Sequence, residues 1–416
     1  MERRPRFTFV VDRSNRTGVA QLVASLETEL VDPAASLRTI KPAQAASLRL
    51  GGEDGIADCV CMSAMTENFG ERVALLEAVR HKGGGEFVAV CGGPHATADP
   101  EGVLAAGFDV CAVGEGEEVV REIARRLVSG ESLARSGKRG VKIAGTPADL
   151  DRLPALPERV RFRAYIEIGR GCRWGCAYCQ TPQIFGHRER FRSPEAIERT
   201  IARYAASGMK DFRLLLPNAL GYMSERAGSP NCEMLEELLR RARLAAGAGR
   251  VFLGSVPSEM RPEYVTAEAF GVLKKYVANR QVVIGAQSAS QRVLDEAGRG
   301  HSAEVIREAC RIAVGYGFLP TVDIVLGFPT EEAADRQASL DLIERLRQAR
   351  AIVNMHFFMP LPGTPLARSV PRFLTDAEHA VLDDLGLKGV IRGRWRVQEE
   401  IARKWVADRV ETTPSR

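Results

Sequence analysis

The sequence predicts an α/β protein made of two successive series of strand–helix units, and three observations carry that prediction. Short apolar runs alternate with helix-like segments from Phe7 to about Gly130. A stretch rich in Gly, Pro and charge but poor in periodicity follows, between Ser129 and Val160, and a second alternating series opens at Tyr165. The chain of 416 residues, 45% hydrophobic and 27% charged, is long enough for two domains that each bury a core, which excludes disordered and collagen-like classes. Its formal net charge of +5 is spread among acids rather than clustered, so no nucleic-acid footprint is indicated.

Taken in order, the first series reads FTFVVD, GVAQLVASLETEL, ADCVCMSAM, FGERVALLEAVRHK, FVAVCGG, PEGVLAAG, FDVCAVG and EGEEVVREIARRLVSG. This pattern predicts an N-terminal doubly wound parallel sheet over residues 1–147. In such sheets ligands bind at the carboxyl ends of strands, and two strand ends carry unusual loops, CGGPHAT from Cys91 to Thr97 and VGEGEE from Val113 to Glu118. The second series supplies six strand candidates, YIEIGRG, DFRLLLPN, VFLGSVPS, QVVIGAQS, TVDIVLGFP and MHFFMPLPG, separated by helices. Six units fall short of the eight of a closed barrel, so a partial (β/α)6 barrel over 148–365 is the economical architecture, with a polar helical extension over 366–416. The apolar stretch near the N-terminus runs only from Phe7 to Val11, too short for a signal peptide or a span, and a cytoplasmic protein is expected.

Nine cysteines occur, and six of them stand apart in apolar or helical segments, where a buried thiol behaves as a small hydrophobe. The other three, Cys172, Cys176 and Cys179, form a CxxxCxxC loop directly after the first strand of the second series. Three thiolates on one short loop can cap three corners of a [4Fe–4S] cluster, leaving one iron open to chelate a small molecule. Structural zinc with a distant fourth ligand such as His187, a disulfide, or three core cysteines are the alternatives; zinc sites usually pair two CxxC knuckles, and no second knuckle is present.

The loop, with Tyr178 before its last cysteine, resembles that of the radical S-adenosylmethionine (SAM) superfamily. The resemblance implies a partial barrel whose first loop holds a [4Fe–4S] cluster, with strand ends holding SAM, which is cleaved on reduction to a 5′-deoxyadenosyl radical. Cys172, Cys176 and Cys179 are then the metal ligands and, through the cluster, the catalytic residues. Many members end their second strand in Gly-Gly-Glu, whereas this chain has Leu216-Pro217-Asn218, where Asn218 either takes over the bond to the SAM amino group or only turns the chain. Ser255 and Arg261, in GSVPSEMRPE, are candidates for SAM, Arg261 by forking onto its carboxylate; a surface ion pair is the alternative. Gln287 and Ser288 end an apolar strand and are placed at the ribose, while Gly327-Phe328-Pro329 looks like the family's late strand near the adenine.

A wound sheet ahead of such a barrel resembles the cobalamin-binding subgroup of that superfamily. On that resemblance Ser63, Gly92, Gly93, Pro94, His95, Gly114, Glu115, Gly116 and Glu117 are cobalamin-site candidates, the glycines allowing close approach of a corrin or its nucleotide tail. One departure stands out. The DxHxxG loop that often supplies a histidine to cobalt reads here Asp12-Arg13-Ser14-Asn15-Arg16-Thr17-Gly18. No imidazole reaches cobalt from that loop, and His95 is expected as a packing or phosphate contact.

Together the resemblances imply three cofactors, a [4Fe–4S] cluster, SAM and cobalamin, and methyl transfer to an unactivated carbon of a small-molecule or peptide substrate. They also imply an external one-electron reductant of flavodoxin or ferredoxin type. Two other readings remain: a radical enzyme that rearranges or oxidises without delivering a methyl group, and an electron-transfer protein whose cluster is closed by Cys232. A methylthiotransferase is disfavoured, because no second three-cysteine set precedes the barrel and no small β domain is evident at the end.

Overall fold

The computed structural model describes residues 4–412 except 31, 33–35, 46, 52–54, 83–84, 132, 134–139, 161, 257 and 349–350. Part of the stretch read as a linker, residues 132 and 134–139, lies outside the described residues. Two compact units emerge. The first comprises residues 1–167 with 180–192, and the second 168–179 with 193–416.

The first unit contains a six-stranded parallel sheet in the order Leu37–Ile40, Arg4–Val10, Ile56–Ser63, Val88–Gly92, Val110–Val113, Val141–Ala144. Its central strands are buried along nearly their whole length, as parallel strands covered on both faces must be, and Val60, Ala89, Leu76, Val79 and Phe108 form part of their core. The helices Arg16–Leu26, Phe69–Lys82 and Gly116–Val128 match the segments read from periodicity. The two outermost strands were not legible. Leu37–Ile40 and Val141–Ala144 have four residues each, and the second is mostly exposed, so neither displays a strong apolar run. Val141–Ala144 falls within the stretch read as linker.

In the second unit, the strands Asp211–Leu215 and Arg250–Phe252 pair in parallel, and Ile168 donates its amide to Leu215 O at 2.9 Å. A further parallel sheet runs Gln281–Gln287, Leu319–Leu326, Ile352–Phe357, Ile391–Gly393. The segment from Gly254 to Met260 joins the two, through Val283 N to Gly254 O at 2.9 Å and Met260 N to Val283 O at 2.8 Å. All six strand candidates of the second series are therefore strands, in an open run. The C-terminal stretch is helical at Asp376–Leu387 and Trp395–Thr412, and it also adds the short strand Ile391–Gly393, which its charged sequence hides. Helix starts follow local chemistry: Ser193 Oγ accepts from Ala196 N at 3.2 Å ahead of Pro194, and Asn231 Oδ1 accepts from Met234 N at 3.1 Å.

The first unit extends past the expected boundary at 147 because residues 148–160 are fastened to the Arg16–Leu26 helix. Glu27, at that helix's C-terminus, accepts from the amides of Glu158, Arg159 and Val160 at 2.6, 2.9 and 2.6 Å. Arg192, almost fully buried, reaches back to the carbonyls of Leu150, Leu153 and Glu167 and to Gln21.

Candidate functional site

The cysteine loop leaves the Gly169–Arg170 strand at Gly171, whose φ of +86° suits glycine. A tight turn brings Cys179 N to Cys176 O at 3.0 Å, and Ala177 N bonds to Ala297 O at 2.9 Å, seating the loop on the segment Ala297–Gly300. The fit is close: a Cβ on Gly298 would stand 3.1 Å from Gly175 O, and one on Gly300 would stand 2.9 Å from the Trp174 ring. None of the three cysteines is in a disulfide; Cys176 is buried, and Cys172 and Cys179 are half-buried.

Cys176 Sγ accepts from two guanidinium groups, Arg299 Nη1 at 3.6 Å and Arg261 Nη1 at 3.8 Å. Arg299 also donates to Tyr178 Oη at 3.2 Å and to Gly285 O at 2.6 Å. Burial raises the Tyr178 phenol above its ordinary range, so it stays protonated. Two guanidinium N–H donors directed at one buried cysteine sulfur suit a sulfur that shares a metal's electrons, and this is the observation on which the residues fit a cluster. Among the described residues, no three His, Cys, Asp or Glu side chains converge on one metal-ion position. Cys232, the proposed closing ligand of an electron carrier, sits at a helix start, with its thiol raised to about 11 by burial and then by Glu268.

The polar residues expected at SAM occupy the same unit, some with partners already. Asn218 is buried and its Oδ1 accepts from Arg261 N at 3.2 Å. Ser255 Oγ accepts from Arg213 at 3.2 Å. Arg261 is not a free fork: Nε bonds to Glu263, Nη2 to Arg299 O, and its guanidinium carbon lies 3.7 Å from the centre of the Trp174 ring. Gln287, buried, holds φ at +69°, a left-handed conformation that non-glycine residues adopt at a cost, at a break in the strand register after Gly285. Its Nε2 donates to Glu259 Oε2 at 3.3 Å. Ser288 Oγ accepts from Ser290 N at 3.1 Å, which turns the chain into the next helix.

Arg299, Asp323 and Asn354, which no motif singles out, complete this set beside Glu259 and His356. Arg299 lies in Gly298-Arg299-Gly300, and that pair of glycines flanking one arginine after a short helix is the only signal available. Asp323 and Asn354 are register partners on neighbouring strands, bonded at 2.8 Å, and His356 Nε2 stands 3.8 Å from Asp323. Asp323 raises the His356 imidazole despite the burial that lowers it. Burial, and then Asp323, push the Glu259 carboxyl up to about 7. A folded state that holds this proton more tightly than the unfolded chain loses stability as pH rises from about 4.5 to about 7, and carries the full cost above that. Glu259→Gln is therefore expected to be more stable than the wild type at pH 8, by about 1 kcal/mol after allowance for partial exposure, and indistinguishable near pH 4. Urea unfolding of the metal-free chain at the two pH values checks this.

In the first unit, Ser63 and Gly92 are register partners at neighbouring strand ends. Gly93 has φ +95°, and a Cβ there would stand 2.6 Å from Ser63 Oγ. Pro94 opens the short helix Pro94–Ala98. His95 is buried, stacks on Phe69 with ring centres 4.1 Å apart, and contacts Thr66 Oγ1 through Nδ1 at 3.3 Å, while its buried Nε2 has no partner. Burial lowers the imidazole, keeping it neutral. Thr97 Oγ1 links the two loops, donating to Gly93 O at 3.1 Å and accepting from Gly114 N at 2.9 Å. A buried imidazole nitrogen without a hydrogen-bond partner, at the carboxyl end of a parallel sheet, is the observation on which these residues fit a corrinoid.

Glu115 is different. Its buried carboxylate accepts from Ala148 N at 2.9 Å and pairs with Arg190, which also bonds Ala148 O at 2.8 Å. The carboxylate, expected at the corrinoid, is held between residues 148 and 190 because the loop turns it toward chain that follows later. Gly116 packs on Leu22, where a Cβ would stand 2.8 Å from Cδ2. Glu117, also buried, lies in the first turn of the Gly116–Val128 helix, and its carbonyl accepts from Ser25 Oγ at 3.0 Å. In the loop without histidine, Asp12 is bonded to Ser14, Asn15 and Arg72.

Comparison with known proteins agrees with this division. Residues 166–343 match the model of the Radical SAM superfamily, and residues 53–124 match that of the B12 binding domain. The chain thus carries a radical SAM domain over residues 166–343 and a B12-binding domain over residues 53–124, and those domains imply a [4Fe–4S] cluster, SAM and cobalamin as cofactors. Among solved structures, the fold is similar to the radical SAM methyltransferase TsrM from Kitasatospora setae, with a TM-score of 0.66, 16% identity, and 87% of this chain and 77% of that one covered. It is also similar to the cobalamin-dependent radical enzyme OxsB, with a TM-score of 0.61, 15% identity, and 82% and 52% covered. By sequence, a tRNA-2-methylthio-N(6)-dimethylallyladenosine synthase of Pelobacter propionicus is 30% identical over 221 residues, covering 52% of this chain and 48% of the relative. The enzyme of the same name from Chlorobium phaeobacteroides is 31% identical over 242 residues, covering 57% and 52%. The chain spans about half the length of these curated relatives. No described helix is long and apolar enough to cross a membrane.

Proposed function

We propose that the chain is a cobalamin-dependent radical SAM methyltransferase acting on an unactivated carbon. The B12-binding domain placed ahead of the radical SAM domain is the observation that carries the reading, and similarity of fold to a methyltransferase with the same two cofactors supports it. When bound, the cluster and SAM supply hydrogen-atom abstraction and the corrinoid carries the methyl group.

The chain's own work is holding and excluding. Cys172, Cys176 and Cys179 hold the cluster, and Arg261 and Arg299 steady Cys176. Gln287, Ser288 and Glu259 offer polar groups to SAM, as do Asn218 and Ser255 beyond the bonds they already make. Ser63, Gly92, Gly93, Pro94, His95 and Gly114 receive the corrinoid, where neutral His95 accepts or donates one hydrogen bond through Nε2. The substrate is a small molecule or peptide, and a flavodoxin- or ferredoxin-type donor supplies electrons in the cytoplasm.

A second reading is methylthio transfer, favoured by the names of the sequence relatives. Against it, the four cysteines before the loop, Cys59, Cys61, Cys91 and Cys111, are all buried in sheet strands. The deciding experiment is anaerobic purification from cells supplied with cobalamin, followed by turnover with methyl-deuterated SAM. Iron, sulfide and about one cobalt per chain, with a deuterated methyl group and no sulfur in the product, are expected. A cluster without cobalt, and no uptake of added cobalamin, would sink the methyltransferase.

A further inference from the structure

We infer that Arg261 is a positioning residue that sets how readily the cysteine-bound cluster accepts an electron, acting through its hydrogen bond to Cys176 Sγ. The inference rests on the reading of Cys172, Cys176 and Cys179 as cluster ligands, and it goes beyond that reading by giving Arg261 a task other than clamping a carboxylate.

Every nitrogen of this guanidinium is committed. Nη1 lies 3.8 Å from Cys176 Sγ, Nε bonds to Glu263, and Nη2 bonds to the carbonyl of Arg299. The group lies over Trp174, with its guanidinium carbon 3.7 Å from the ring centre, and the residue is 5% exposed. Its backbone is pinned as well, by Asn218 Oδ1 at 3.2 Å from Arg261 N. Trp174 stands between Cys172 and Cys176 in sequence, so one loop supplies both the sulfur and the aromatic platform that aims the donor at it. Gly300 keeps that platform in place, since a Cβ there would meet the Trp174 ring at 2.9 Å.

This geometry has a direct electrostatic consequence. One electron from a low-potential donor enters the cluster; no bond forms or breaks, no proton moves, and the cluster gains one negative charge. An N–H donor fixed on a coordinating sulfur stabilises the more negative state more than the less negative one, which raises the reduction potential. Glu263 offsets part of the guanidinium's charge, so the directed N–H at sulfur carries the effect. Arg299 Nη1, at 3.6 Å from the same sulfur, adds a second donor.

The test uses the full chain reconstituted with iron and sulfide, without SAM, poised with dithionite and read by electron paramagnetic resonance. At a fixed poise near the wild-type midpoint, the ratio of reduced to oxidised cluster is expected to fall about tenfold in Arg261→Gln, and by less in Arg261→Lys, which keeps the charge but loses the stacked fork. An unchanged ratio in Arg261→Gln with full iron and sulfide content would overturn the inference. If that variant holds no cluster, Trp174→Leu decides, because it removes the platform and leaves the cysteines and both arginines. A lowered ratio in Trp174→Leu supports the role, and a wild-type ratio overturns it. Failure of the wild-type chain itself to take up iron and sulfide is a separate result and overturns the cluster reading.

Discussion

Cys176→Ala is expected to abolish cluster incorporation and to lower any SAM-dependent turnover by more than about a hundredfold. Loss of one thiolate removes one of three corners, and at this position it also strips two buried guanidinium groups of their shared acceptor. Two positive charges left facing each other in a desolvated site repel, so the loop around Trp174 loses its seat as well as a ligand. Cys172→Ala and Cys179→Ala should also lose the cluster, with less effect on the fold, since both thiols are half-buried. Cys232→Ala provides the contrast. Its thiol lies beside Glu268 at a helix start, and the variant should keep full iron and sulfide. Metal analysis and the visible absorption spectrum of the four variants decide the matter; a Cys232→Ala chain without a cluster would revive the electron-carrier reading.

The candidate cluster loop is legible because CxxxCxxC places three soft ligands on one loop, a pattern that few other chemistries need. Strands and helices were legible where burial writes a period into the sequence, as in the strand of Cys59 and Val60 or the helix of Leu235, Leu238 and Leu239. Edge strands are half-solvated and carry no such mark, which hid Val141–Ala144. Partnerships between distant polar residues were hidden for another reason. Arg299 meets Cys176 across 123 positions and Glu115 meets Arg190 across 75, and nothing local at either end records the other. Gly114-Glu115-Gly116-Glu117 was read as one ligand loop, yet neighbouring residues in it do different work, Gly116 making room for Leu22 and Glu115 fastening residue 148. Residue type and spacing show that a loop is constrained, while the cause of the constraint lies in partners elsewhere in the chain.

Arg192→Ala should destabilise the first unit by about 3 kcal/mol or more, although Arg192 sits in Arg190-Phe191-Arg192-Ser193-Pro194-Glu195, which reads first as a helix start and only secondarily as a pair of substrate-contacting arginines. The side chain is 1% exposed and donates to the carbonyls of Leu150, Leu153 and Glu167 and to Gln21 Oε1. Its removal leaves several buried acceptors without a donor, each costing about 1–3 kcal/mol when water cannot reach it. Arg192→Lys should recover only part of the loss, because one ammonium cannot reproduce a planar fork that serves four acceptors. Gln21 gives an independent check: it accepts from Arg192 Nη2 at 2.9 Å and donates to Ala155 O at 2.5 Å. Gln21→Leu should therefore destabilise in the same direction, and less than additively with Arg192→Ala, since the two share a bond. Urea unfolding of the single and double variants, followed together with substrate affinity once a substrate is known, separates the two roles. Wild-type stability with weakened substrate binding in Arg192→Ala would make it a substrate residue after all. A lowered midpoint with unchanged affinity would support a structural role in which the arginine fastens residues 150–153 to the Arg16–Leu26 helix through Gln21.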